Sequence, residues 1–123
     1  MGAKIIVIED NETNMLLLKS VLTYYGYEVI EAVDGYEGVR MAKEIVPDLI
    51  LMDIQMPVLD GMDALKMLKD DIITKNIKII AVTSNAMKGD KENLLSLGFD
   101  GYVPKPIDTR QLPSIIEEFI SKK

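Results

Sequence analysis

The sequence contains no cysteine, no histidine and no tryptophan. Without cysteine and histidine the chain has no disulfide framework, no thiolate nucleophile, no serine-histidine dyad and no zinc site built on nitrogen or sulfur. Its chemistry must run on oxygen, which favours hard cations held by carboxylates, carbonyls and water over softer metals. Positive charge is also in short supply: 14 Lys and Arg against 20 Asp and Glu leave a net charge of −6. An acidic total with no basic run argues against a nucleic-acid binder that depends on counterion release. Apolar runs stay far below the roughly 18 residues needed to cross a bilayer, and no charged-then-apolar leader opens the chain. A cytoplasmic protein without membrane contact is expected. A myristoylation start is excluded, because Ile6 stands where that motif needs Ser or Thr.

What is present suits a soluble globule. The 123 residues, 48% hydrophobic and 28% charged, are enough for one domain spanning 1–123. No repeat, low-complexity tract or linker marks a second. The area scaling laws leave roughly 6,600 Å² exposed at this mass, so a sizeable core is feasible.

Short apolar runs at 5–8, 29–32, 49–52, 79–82 and 102–103 alternate with stretches of helical periodicity, which reads as about five β/α units. The first, third and fourth runs are continuously apolar, as parallel strands covered on both faces should be. They are expected at the centre of the sheet. The first helix should start near Asn11 or Glu12, bury Met15, Leu18, Leu22 and Tyr25, and stop at Gly26. The second should follow Asp34-Gly35, carry Val39, Met41 and Ala42, and end before Pro47. A third is expected at about 62–69, and a fourth from an Asp90 cap through Leu94, Leu95 and Leu97 to Gly98. Asp108 and Gln111 approximate a capping box for a fifth with the stripe Leu112, Ile115, Ile116, Phe119 and Ile120, although Pro113 pushes the regular helix to a later start. Right-handed crossovers then give a doubly wound five-stranded parallel sheet with five helices, whose ligand site lies beyond the carboxyl ends of the strands.

At those ends stand Glu9-Asp10, Asp53, Thr83-Ser84 and Lys105-Pro106. Two carboxylates about 4 Å apart repel by about 4 kcal/mol at an effective dielectric of 20, so such a cluster needs a proton or a cation. Mg²⁺, which takes one or two carboxylates with waters and phosphate oxygens, is the simplest neutraliser. Taken singly, Glu9, Asp10 and Asn11 read as helix caps, Thr83 as another, and Lys105 as a solvated charge. Their placement on one rim is what independent capping does not require.

The acid pair Glu9-Asp10, Asp53-Ile54-Gln55-Met56-Pro57 with Asp60-Gly61, Thr83, and Tyr102 before Lys105-Pro106 resemble the response-regulator receiver family over essentially the whole chain. Within it, Glu9-Asp10-Asn11 with Asn14 and the segment 85–90 are most similar to stand-alone DivK-like receivers and to receivers of hybrid histidine kinases. The resemblance implies a flavodoxin-like (CheY-like) α/β fold and a signalling switch that catalyses only its own phosphorylation and dephosphorylation. Asp53 would accept a phosphoryl group from the phosphohistidine of a histidine kinase or histidine phosphotransfer protein. Mg²⁺ would sit on Asp10, Asp53 and the Gln55 backbone carbonyl, with Glu9 acting through water. Lys105 would meet a phosphoryl oxygen, aimed by a cis bond to Pro106. Thr83 and Tyr102 would form the switch that presents the fourth helix, fifth strand and fifth helix to a downstream protein target. Ser84 is larger than the family's usual Ala or Gly and should narrow access, while Gln55 and Asn85 occupy the family's variable rim positions, where they would tune the phosphoryl lifetime. Leu16 should point away from the core, with Thr13, Leu17 and Tyr24 on a flank beside the acidic rim that docks the phosphodonor. A monomer or weak dimer is expected.

Two other functions compete. A Mg²⁺-dependent phosphohydrolase of a small substrate would want a Gly-rich phosphate loop or a second Asp two residues after a first-strand nucleophile, and neither is present. A pseudo-receiver interaction module would show a defect among Asp53, Asp10, Thr83 and Lys105, and none is missing.

Overall fold

The five apolar runs form the strands of one parallel sheet: β1 (Lys4–Ile8), β2 (Glu28–Ala32), β3 (Leu49–Asp53), β4 (Lys78–Thr83) and β5 (Gly101–Pro104). This computed structural model describes residues 2–54, 61–83 and 88–121. The strand order is β2-β1-β3-β4-β5, with β1 paired to β2 on one side and β3 on the other. The winding therefore reverses between β1 and β3, the place where doubly wound sheets build ligand sites. β1, β3 and β4 are the interior strands and are almost entirely buried, while the edge strand β5 alternates and the edge strand β2 fully buries only Ala32. That is the expected difference between a strand covered on both faces and one with a solvated side.

The connecting helices are α1 (Glu12–Tyr24), α2 (Gly35–Ile45), α3 (Gly61–Lys69), α4 (Lys88–Leu97) and α5 (Leu112–Ser121). Because successive strand residues point to opposite faces, the sheet divides its core in two. Ile5 and Val7 join Leu18 and Leu22 of α1 and Ile116 of α5 on one face. Ile6 and Ile8 join Val39 and Ala42 of α2, Leu68 of α3 and Leu94 of α4 on the other. Gly38 lets α2 lie directly on β1, since a Cβ there would fall 2.2 Å from Ile8 Cδ1. The total exposed area is 6,840 Å², close to the scaling expectation. Among the described residues, no helix is long and apolar enough to cross a membrane.

Several local expectations are corrected. Tyr25 lies past the end of α1 and is exposed, so the buried stripe of that helix is Met15, Leu18 and Leu22. α2 stops because Val46 turns left-handed at φ 50°, its N–H returning to the Ala42 carbonyl at 2.9 Å, just before Pro47. Asp90 lies inside α4, which starts at Lys88, and Leu95 and Leu97 face solvent while Leu94 packs inward. The Asp108 carboxylate accepts from Arg110 N–H at 2.9 Å rather than closing a box with Gln111, and the regular helix begins at Leu112. Pro113 thereby falls in the first turn, where a missing N–H costs no intrahelical bond.

Candidate functional site

Three strand ends bring the chemistry together. Glu9 directly follows β1 and is tied to β2 through its N–H on the Ala32 carbonyl at 3.0 Å. Asp53 closes β3 in register with Val82. Lys105 follows β5, and its N–H bonds the Thr83 carbonyl at 2.8 Å, which fixes the base of its side chain across from β4. The Lys105-Pro106 bond is cis. From there Lys105 Nζ reaches Asp53 Oδ2 at 3.2 Å and stands 3.8 Å from Glu9 Oε1.

Glu9, Asp10 and Asp53 each offer a carboxylate oxygen, and these oxygens lie within 4.8 Å of one another. Glu9 and Asp53 are 2% exposed, whereas Asp10 faces solvent. Glu9 Oε2 accepts the Asn11 N–H at 3.2 Å, but Oε1 is buried with no hydrogen-bond partner among the described residues. Burial, reinforced by the neighbouring Asp53 carboxyl, pushes the Glu9 carboxyl up to about 7 against the weaker pull of Asn11 and Lys105. One ammonium thus faces a trio of carboxylates, and the trio retains an unsatisfied acceptor. A hard divalent cation fits both the oxygen-only donor set and that unmet acceptor.

Thr83 is buried at the end of β4, and Tyr102 is half-buried against the α2/α3/α4 side of the core. Tyr102 pairs with Ala81 and Pro104 with Thr83, so the period-two pleat puts Tyr102 and Thr83 on one face, one step apart in register. Gln55, Ser84 and Asn85 lie outside the described residues, as do Met56, Pro57 and Asp60. Pro106 is exposed behind Lys105.

On α1, Thr13 is exposed and Leu17 half-buried near the rim, but Tyr24 is the last helical residue. At 1.5 Å per residue it stands about 16 Å along the axis from Thr13, so the flank runs away from the acids rather than beside them. Leu16, 65% exposed, points away from the core as expected. Sequence reasoning missed what it does there: with Val33 it lines a hollow beside Glu9 and Asp10. It also missed the role of Asn11, whose backbone holds Glu9 in place while its side chain caps α1 by accepting the Asn14 N–H at 2.9 Å. The capping residue type was legible; a backbone contact to the preceding acid leaves no trace in residue identity.

Residues 5–117 match the response regulator receiver domain family. A polar-differentiation response regulator, DivK of Brucella anthropi, is 41% identical over 120 residues, spanning 98% of either chain. The receiver domain of a sensor histidine kinase from Pseudomonas aeruginosa PAO1, with a magnesium ion coordinated in its active site cleft, superposes with a TM-score of 0.90 at 36% identity over 98% of this chain and 99% of that one. A response regulator receiver domain protein from Clostridium thermocellum gives a TM-score of 0.87 at 31% identity over 98% and 95%.

Proposed function

Since the chain belongs to the response regulator receiver domain family, we propose that it is a phosphoaccepting switch in which Asp53 is the nucleophile. The observation that carries this reading is the buried Asp53 carboxylate, placed within 4.8 Å of two further acids and held by the Lys105 ammonium at 3.2 Å. An Asp53 oxygen attacks the phosphorus of a phosphohistidine. The P–N bond breaks with its electron pair going to the imidazole, which takes up a proton, and an acyl phosphate remains on Asp53. In phosphoryl transfer, positioning and charge neutralisation supply most of the acceleration. Lys105 can contribute both, with its backbone pinned to β4 and its charge aimed at the acceptor oxygen. Once the phosphoryl group is present, Lys105 exchanges one anionic partner for another.

Asp10, Asp53 and the Gln55 carbonyl are the residues proposed to hold Mg²⁺, with Glu9 acting through water; when bound, the ion neutralises charge on the phosphoryl oxygens. A phosphoryl group adds about −1.5 to −2 charges. Thr83 is proposed to answer it with its hydroxyl, and Tyr102, which shares its face of the sheet, to follow inward. The phosphodonor, a histidine kinase or phosphotransfer protein, is proposed to meet the rim end of α1 at Thr13 and Leu17, and the target to read β5 and the helices beside it. Ser84, Asn85 and Gln55 are proposed to set access of water to the acyl phosphate.

The test is incubation with Mg²⁺ and acetyl phosphate. An acid-stable, base-labile phosphoryl group that disappears in Asp53→Asn is expected, with the loss reaching background. Steady release of inorganic phosphate from added sugar or nucleoside phosphates, without a labelled chain, would mark a hydrolase instead.

A further inference from the structure

The amino end of the sheet carries apolar surface that folding does not explain. Between the end of α2 and the start of β4 lies a hollow of about 440 Å³, with Val46, Asp48, Ile73, Ile77 and Lys78 in its lining. Val46 is 50% exposed and holds the left-handed conformation at φ 50°. Gly or Asn takes that conformation at a helix end with little strain, whereas a β-branched residue is disfavoured there. The chain thus bears backbone strain where the side chain it displays is apolar and half in water. The turn beside it makes a similar display. Asp71 Oδ1 accepts the Ile73 N–H at 2.8 Å, and the Asp71 carbonyl accepts the Thr74 and Lys75 N–H groups at 3.1 and 2.8 Å. Ile72 and Ile73 are nevertheless 80% and 52% exposed on this ordered turn, at positions where Gly, Pro, Asn, Asp or Ser is usual.

Charge decides what fits this surface. Lys43 pairs with Asp71 at 3.3 Å next to Ile72, and Lys78 lines the hollow together with Asp48. Cations and carboxylates therefore balance around the patch, in a chain of net charge −6. The hollow beside the phosphoacceptor rim, by contrast, sets Glu9, Asp10, Glu12 and Glu31 against Lys19 alone. A strongly basic or acidic partner meets no opposite field at the amino end, and two copies of an acidic chain repel wherever their carboxylates are in excess. A twofold contact lays a patch on itself, so the patch must be self-complementary. This one is: its apolar centre meets an apolar centre, and Lys78 of one copy comes against Asp48 of the other.

We propose that the patch formed by Val46, Ile72 and Ile73 is a twofold contact between copies of this chain. Its apolar centre is small, which suits a weak, reversible dimer rather than an obligate one. The contact lies at the opposite end of the sheet from the phosphoacceptor rim and does not rest on that reading.

The experiment is sedimentation velocity of the full chain from micromolar to millimolar concentration, in EDTA and without a phosphodonor. A reversible monomer–dimer equilibrium is expected. Ile72→Glu should weaken it about tenfold or more, by setting like charges against each other across the axis. Val46→Gly should weaken it as well, while unfolding at the same or a higher temperature because the left-handed strain is relieved. Leu95→Glu, on the exposed side of α4, should leave the dimer intact. Ile72 and Leu95 are 80% and 42% exposed, so circular dichroism should show both glutamate variants folded. A chain that stays monomeric throughout, a dimer that Ile72→Glu or Val46→Gly leaves intact, or one that Leu95→Glu dissolves overturns the proposal.

Discussion

The two ends of the sheet use carboxylates in opposite ways. At the amino end, acids complete the backbone: Asp48 Oδ2 accepts the Lys4 N–H at 2.8 Å, and Asp100 Oδ2 accepts the Ile79 N–H at 2.8 Å. Nearby, the buried Thr74 hydroxyl donates to the Leu68 carbonyl at 2.6 Å. At the carboxyl end, Glu9 Oε1 is buried with no hydrogen bond from a described residue, and Glu9 crowds Asp53 with the Lys105 ammonium between them. The first arrangement is what folding stability selects, since each buried polar group has a partner. The second costs stability in the isolated chain, as sites set aside for function commonly do, and it is the arrangement that the proposed receipt of a cation and a phosphoryl group would relieve.

Removing a carboxylate should therefore have opposite consequences at the two ends. The larger effect is expected at Glu9. Its carboxyl titrates near 7 in the folded chain against an ordinary 4.5. Between those values the folded state holds a proton that the unfolded state has released, so stability falls as pH rises and the loss is complete above about 7. A shift of this size corresponds to about 3 kcal/mol. The chain has no histidine to titrate in the same window. Urea unfolding in EDTA should show that decline between about pH 5 and pH 8, and Glu9→Gln should remove most of it and be the more stable protein at the upper end. An undiminished slope in Glu9→Gln would mean that the strand-end acids are not in electrostatic conflict.

Asp100→Ala should act in the other direction. Ile79 is fully buried, so its N–H would be left without an acceptor, and the Lys69 partner at 3.6 Å would be lost as well. Stability should drop by about 1–3 kcal/mol, with no dependence on pH between neutrality and mildly alkaline conditions and none on Mg²⁺. Asp100→Asn keeps an oxygen acceptor and should recover most of the loss. If Asp100→Ala were neutral, the amino-end acids would be ornaments of the surface and the contrast would fail.

Much of this contrast was legible in the sequence, and for specific reasons. The continuous apolar runs of β1, β3 and β4 announce burial on both faces, which fixes them as interior strands and puts Glu9, Asp53 and Thr83 on one rim by connectivity alone. Gly26 and Gly98 announce helix stops and indeed take φ 92° and 119°. Val46 gives no such notice, because a β-branched residue takes positive φ against its own preference, so its identity does not announce the turn. The α4 start was misplaced because Asp90 has the residue type of a cap, and only tertiary context decides whether that preference is used. At the site, residue types identified the acids, but not that one Glu9 oxygen is buried without a hydrogen bond from a described residue or that Leu16 and Val33 line the same hollow as Glu9. Those facts depend on distances across β1, α1 and β2, which periodicity does not encode.

The smallest effect tests whether position at the carboxyl end matters by itself. Glu31 lines the same hollow as Glu9 and Asp10, and is paired with Lys19 at 2.9 Å. It differs from Glu9 in one respect that physical chemistry counts as decisive: both members of the pair are about half exposed, at 49% and 46%. Water and salt screen such a pair, and the side-chain entropy lost in holding it offsets most of the attraction. Lys19→Ala should thus change unfolding free energy by no more than about 0.5 kcal/mol, less still at high salt. A change comparable to that of Glu9→Gln would show that the field of the strand ends reaches through solvent, and the distinction would then rest on which end an acid occupies. A negligible change assigns it to burial: what sets Glu9 apart from Glu31 is that its carboxyl is closed off from water.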